Sequence, residues 1–162
     1  MQLNNNYEEE YNNLIVSAEI KCSQLLLAVC NNLEKRQEII NRYSGDLKHF
    51  LIEIQPDDNW AACVNNLTNQ NPDIISIIGI EKLQTAERPG NKTKVILSEE
   101  IFYWQEDSRS ELDVFLGYLQ WQREKAMRFN FPIVSWLTDD LERKIITKAP
   151  DFYSWRRGVF RF

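Results

Sequence analysis

The sequence predicts an α/β domain of three layers, with a mostly parallel sheet of about five strands and helices on both sides. Two observations carry that prediction. Several short stretches are apolar throughout instead of alternating, among them "LLLAVC" (25–30), "DIISIIGI" (73–80) and "PIVSWL" (132–137). Strands of that kind are covered on both faces, as in the middle of a parallel sheet. Between them lie segments whose apolar residues recur every three or four positions, and strands alternating with helices define the α/β class.

In chain order, residues 1–6 read as unstructured, and Tyr7, Tyr11, Leu14, Ile15, Ala18 and Cys22 then mark an amphipathic helix. The chain divides into this N-terminal helix (1–23) and one α/β domain (24–162). The first strand, 25–30, ends on Asn31 and Asn32 and is followed by the helical "LEKRQEIINRY". "FLIEI" (50–54), stopped by Pro56, is the second strand, and "NWAACVNNLTNQ" (59–70) a short helix. The third strand is 73–80. A polar loop surrounds Pro89-Gly90, and "VILSEEIFYW" reads as a short helix or a lid-like segment. A long helix is expected from about Ser110 to Arg128, a fourth strand at 132–137, a helix after Thr138 and a fifth strand in "GVFRF".

At 162 residues the chain suffices for one core, burying about 68–70% of the unfolded surface. A formal net charge of −5 opposes nonspecific binding of nucleic acid, whose affinity comes mainly from Lys and Arg at phosphates. Basic residues do concentrate at 142–162 (Arg143, Lys144, Lys148, Arg156, Arg157, Arg161), and a solvated face is the simpler explanation. The three cysteines form no C-x-x-C, which suits free thiols in a reducing compartment. No apolar run reaches the roughly 20 residues of a membrane span, and the first residues lack a secretory signal's basic and apolar regions. A cytoplasmic protein with no membrane partner is expected.

Chemistry in an open α/β sheet gathers where the strands end at their carboxyl side. After the first strand, "NNLEKRQEI" has neither the glycines nor the Lys-Ser/Thr pair of a phosphate loop. Hydrogen bonds to charged groups contribute roughly 1.5–3 kcal/mol each, so losing two or three removes about 3–9 kcal/mol. That weakens binding by some two to six orders of magnitude. Asn31, Asn32, Glu81 and Thr138 could together form an atypical nucleotide site. Capping of helices by the polar residues, and a surface position for Glu81, explain them without a ligand. His49, the single histidine, has no signalled nucleophile or acid partner. The acid pairs Asp57-Asp58, Glu99-Glu100 and Asp139-Asp140 sit where caps and turns are expected. No catalytic residue, metal site or cofactor is therefore expected.

Aromatic and basic residues concentrate late in the chain. Tyr118, Trp121 and Arg123 lie on the long helix, and Trp155, Arg156, Arg157, Phe160 and Phe162 lie near the end. Tyr, Trp and Arg are enriched at binding hot spots, although core packing also uses such rings. "FLGYLQWQREKAM" (115–127), "FPIVSWLTDD" (131–140) and "APDFYSWRRGVFRF" (149–162) resemble a domain found ahead of tetratricopeptide repeats in cyanobacterial and other bacterial signalling proteins. "LLLAVCNNLEKRQEIINRY" and "IISIIGIEKL" resemble that domain's first and third strands, so the likeness runs from about Gln24 onward. The resemblance implies a degenerate ATPase-like core with the topology of a phosphate-loop NTPase and no phosphate loop. It also implies a regulatory or scaffolding role, with another protein or a second copy as partner. It carries over no catalytic residue. Since the relatives continue into repeats, Phe162 is expected at a truncated or naturally missing junction: either the domain is an excised or stand-alone module, or its outward apolar surface meets another chain.

Overall fold

The computed structural model describes residues 2–56, 58, 60–84, 92–98, 101–106, 110–126 and 129–162, with backbone alone at 2–5, 92–97, 101–106 and 121–126. Five parallel strands form the central sheet: β1 (Gln24–Val29), β2 (His49–Glu53), β3 (Ile74–Ile78), β6 (Pro132–Leu137) and β7 (Gly158–Arg161). Their order across the sheet is β2-β3-β6-β1-β7. Strands β4 (Lys92–Ser98) and β5 (Ile101–Glu106) make a separate antiparallel hairpin. The helices are α1 (Gln2–Glu19), α2 (Leu33–Ser44), α3 (Trp60–Asn65), α4 (Glu111–Ala126), α5 (Asp139–Lys148) and α6 (Pro150–Ser154).

The apolar runs explain the layering. Along β1, Leu25, Leu27 and Val29 enter one core while Leu26 and Ala28 enter the other. The first core also takes Trp60 and Val64 from α3, Phe115, Leu116 and Leu119 from α4, Leu141 and Ile145 from α5, and Phe152 from α6. The second takes Tyr11, Leu14 and Ala18 from α1 and Ile39, Ile40 and Tyr43 from α2. All residues of β1 and β6 are buried, as a two-faced strand requires. The buried polar groups of this interior hold one another: the Tyr43 hydroxyl hydrogen-bonds Ser76 Oγ and accepts from Trp136 Nε1 at 3.1 Å. Burial pushes the Tyr43 phenol up to about 12.

Three expectations are corrected. The first helix begins at Gln2, within the stretch expected to be unstructured. The segment read as a helix or lid is the β4–β5 hairpin, with Val95 opposite Tyr103, Ile96 opposite Phe102, and a bulge between Ile96 and Ser98. Its β-branched and aromatic residues favour strands. The expected helix at 59–70 stops at Asn65 and resumes as a 3-10 turn over Thr68–Gln70. Asn71 then takes a left-handed backbone, φ 50°.

Candidate functional site

The chain leaves β1 for β2 at one edge of the sheet, and leaves β6 for β7 beyond β1 in the other direction. Adjacent strands whose connections depart in opposite directions create a switch point, the place where open α/β sheets bind ligands. Here it falls between the carboxyl ends of β1 and β6, at Asn31 and Asp139.

That crevice is spanned by the protein itself. Asn31 Nδ2 donates to Asp139 Oδ2 at 2.6 Å, and Asp139 N–H donates to Asn31 Oδ1 at 2.9 Å. Both helices that begin here are capped from within. Asn32 Oδ1 accepts from the N–H groups of Glu34 and Lys35, at 3.0 and 3.1 Å. Thr138 Oγ1 accepts from Leu141 N–H at 3.2 Å. A helix N-terminus attracts anions through unpaired N–H groups and its partial positive charge. These caps occupy some of the donors, and Glu34, Asp139, Asp140 and Glu142 add negative charge in the first turns. Asp139 lies 3.7 Å from Arg161, Asp140 3.2 Å from Lys144 and Glu142 2.8 Å from Arg161, so much of that charge is matched within the crest itself.

Two ion pairs flank the crevice. Arg36 lies one turn into α2, and its Nη2 is 2.9 Å from Glu81 Oε1, with side chains only 7% and 15% exposed. The contact lies off the direction of a hydrogen bond, so neither Glu81 oxygen nor Arg36 Nη1 has a hydrogen-bond partner among the described residues. Glu81 is reached through a tight backbone at Gly79, φ +89°, where a Cβ would come within 3.1 Å of Ile54 O. The expected surface position for Glu81 is thus corrected: the acid points inward and meets a buried guanidinium. On the other side, Arg161 Nη2 donates to both oxygens of the buried Glu142 carboxylate, at 2.8 and 3.0 Å. Glu142 and nearby acids hold the Arg161 guanidinium above its ordinary value.

The sequence brings Asn31, Asn32 and Thr138 to one place, with Glu81 beside them only through Arg36. Arg36 carried no sequence signal beyond its helical position. The aromatic and basic candidates are dispersed. Tyr118 is half-exposed on α4. Trp155 packs edge-on against Trp60, ring centres 6.5 Å apart. Arg156 lies over the Tyr153 ring at 4.0 Å, and Arg157 is exposed. Phe160 is buried, while Phe162 meets Trp136 at 5.7 Å and Tyr7 of α1 at 5.9 Å. The side chains of Trp121 and Arg123 lie outside the described residues, as do Asp57, Glu99 and Glu100.

At the opposite, amino end of the sheet a cleft of about 350 Å³ is lined by Lys21, Thr68, Asn71, Asp73, Asn130 and Phe131, among others. Among the described residues, no cluster of His, Cys, Asp or Glu has the grouping of a metal site, and no helix is long and apolar enough to cross a membrane. The three cysteines are free. The chain matches no family model, no curated protein and no solved structure.

Proposed function

We propose that this domain is a non-catalytic regulatory or protein-interaction module, built on a nucleotide-binding type of sheet whose ligand crevice is closed by its own side chains. The observation that carries the reading is the reciprocal Asn31–Asp139 pair lying across the switch point. A phosphate there would have to displace both hydrogen bonds and would meet helix N-termini whose donors are partly taken by Asn32 and Thr138. The resemblance to domains preceding tetratricopeptide repeats points the same way, towards a scaffold in signalling.

Calorimetric titration with ATP and with GTP, each with magnesium, tests this. No heat of binding is expected at micromolar protein. Micromolar affinity or measurable hydrolysis overturns the proposal. It would favour the second reading, a nucleotide-dependent switch, which has one observation behind it: beside the crevice, Arg36 Nη1 and both oxygens of the ion-paired Glu81 have no hydrogen-bond partner among the described residues.

A further inference from the structure

The two edges of the central sheet are finished differently. On the outer side of β7, the Arg161 N–H is accepted by the Glu10 carboxylate of α1 at 3.0 Å, and Tyr7 of α1 packs on Phe162. Strand β2 ends the sheet on the other side with no neighbouring strand among the described residues. Lys48 O accepts from Asp73 N–H and Ile54 N–H donates to Ile78 O, so the even-numbered residues of this stretch bond β3. The backbone groups of His49, Leu51 and Glu53 therefore face outward, since the two sides of a strand alternate with period two. Leu51, at the centre, is 46% exposed.

This open window has sharp limits. The next outward N–H on one side, Leu47, already donates to Tyr43 O at 3.0 Å. The next on the other, Gln55, donates to Asp58 Oδ2 at 2.7 Å. Among the described residues, the window thus runs two residues to either side of Leu51 and is bounded by occupied N–H groups four residues away on each side. Strand β2 has no proline, bulge or lysine within it, and its one charged residue, Glu53, is ion-paired with Lys82.

We propose that β2 pairs antiparallel with β2 of a second copy, about a two-fold axis through Leu51, joining the two sheets into one. In this register His49 stands opposite Glu53 of the other copy and Leu51 opposite itself. Each of the three pairs exchanges two backbone bonds, about six in all. Centring on Glu53 instead sets like charges opposite, which destabilises a sheet, and requires the occupied Gln55 N–H. Centring on His49 requires the occupied Leu47 N–H. An unrelated strand could satisfy the same backbone groups, but the exposed Leu51 at the window's centre, which meets its own copy on the two-fold axis, fits a second copy. Because the β7 edge is sealed, the isologous pairing closes at two subunits and does not propagate.

The proposal rests on the reading of this domain as an interaction module. Sedimentation equilibrium of the full chain, up to about 100 μM, is expected to give a dimer. Leu51→Lys should weaken it at least about tenfold, by setting two ammonium groups opposite each other. Since Leu51 is exposed, that variant should keep the parent's circular dichroism. As a second measurement, Leu51→Cys should couple to its copy under mild oxidation, because directly opposed hydrogen-bonded residues have Cα atoms about 5.5 Å apart, within disulfide reach. A monomer throughout that range overturns the proposal. So does a dimer that a folded Leu51→Lys leaves intact, or a Leu51→Cys that couples no more than the parent. Each of these outcomes leaves the nucleotide titration unaffected, so the two readings fail separately.

Discussion

The two ends of the sheet contrast sharply. At the carboxyl end, side chains reach across strand boundaries: Asn31 to Asp139, Arg36 to Glu81, Arg161 to Glu142, Gln84 to Asp140. At the amino end the buried Gln24 donates to backbone, to Ser17 O at 2.6 Å and Ile20 O at 2.9 Å, the Lys21–Asp73 ion pair is 3.7 Å long, and a cleft remains. In this architecture the carboxyl end is where a ligand would be held. The chain fills that end with internal contacts between elements far apart in sequence, and the amino end keeps an open cleft.

Substitutions can break that contrast. The largest effect is expected from Arg36→Ala, which leaves the Glu81 carboxylate buried without its charge partner. Breaking a buried pair from one side costs about 3–5 kcal/mol, and the partial exposure of Glu81 places this case near the lower figure. The double variant Arg36→Met with Glu81→Leu should recover most of the loss. Urea unfolding measures both, and an Arg36→Ala as stable as the parent removes the crest's main brace from the account.

Next in size is Asn32→Ala, which uncaps α2 and should cost about 1 kcal/mol, within a range of 0.5–2. It should gain no nucleotide affinity. A variant that begins to bind ATP would mean that the cap alone had excluded the ligand.

A smaller effect should appear at the start of β2. Burial lowers the affinity of His49 for a proton below the ordinary 6.5, and its ring packs edge-on to Tyr43 at 5.3 Å. A folded state that prefers the neutral imidazole is favoured fully above that ordinary value, and the contribution is lost as pH falls below it. Stability should therefore fall more between pH 7 and about 5.5 in the parent than in His49→Gln. An equal fall in both chains would assign it to carboxylates instead.

The smallest change is expected from Lys21→Ala at the amino-end cleft. Lys21 is 78% exposed, and an exposed ion pair contributes about 0–1 kcal/mol. A loss matching that of Arg36→Ala would erase the difference between the two ends.

Much of the fold was legible in the residues, and the reason is local. "LLLAVC", "DIISIIGI" and "PIVSWL" are apolar on both faces, so only a covered strand accommodates them. Asn32 and Thr138 stand directly before helical patterns, so their capping role could be read without coordinates. The hairpin was misread because the β-branched and aromatic residues between Val95 and Trp104, which favour strands, were not weighed against the helix or lid reading.

By itself, the sequence determined the α/β class, the strands of the sheet, and the lack of glycines for a phosphate loop. Each of these follows from side-chain type and short-range periodicity. Only the tertiary structure decided the order β2-β3-β6-β1-β7, which puts Asn31 against Asp139 across 108 positions of chain. It also turned Glu81 inward to Arg36 and left one sheet edge sealed and the other open. Those outcomes depend on which strands become neighbours, and strand order is set by the summed packing of two cores that no short stretch of sequence encodes.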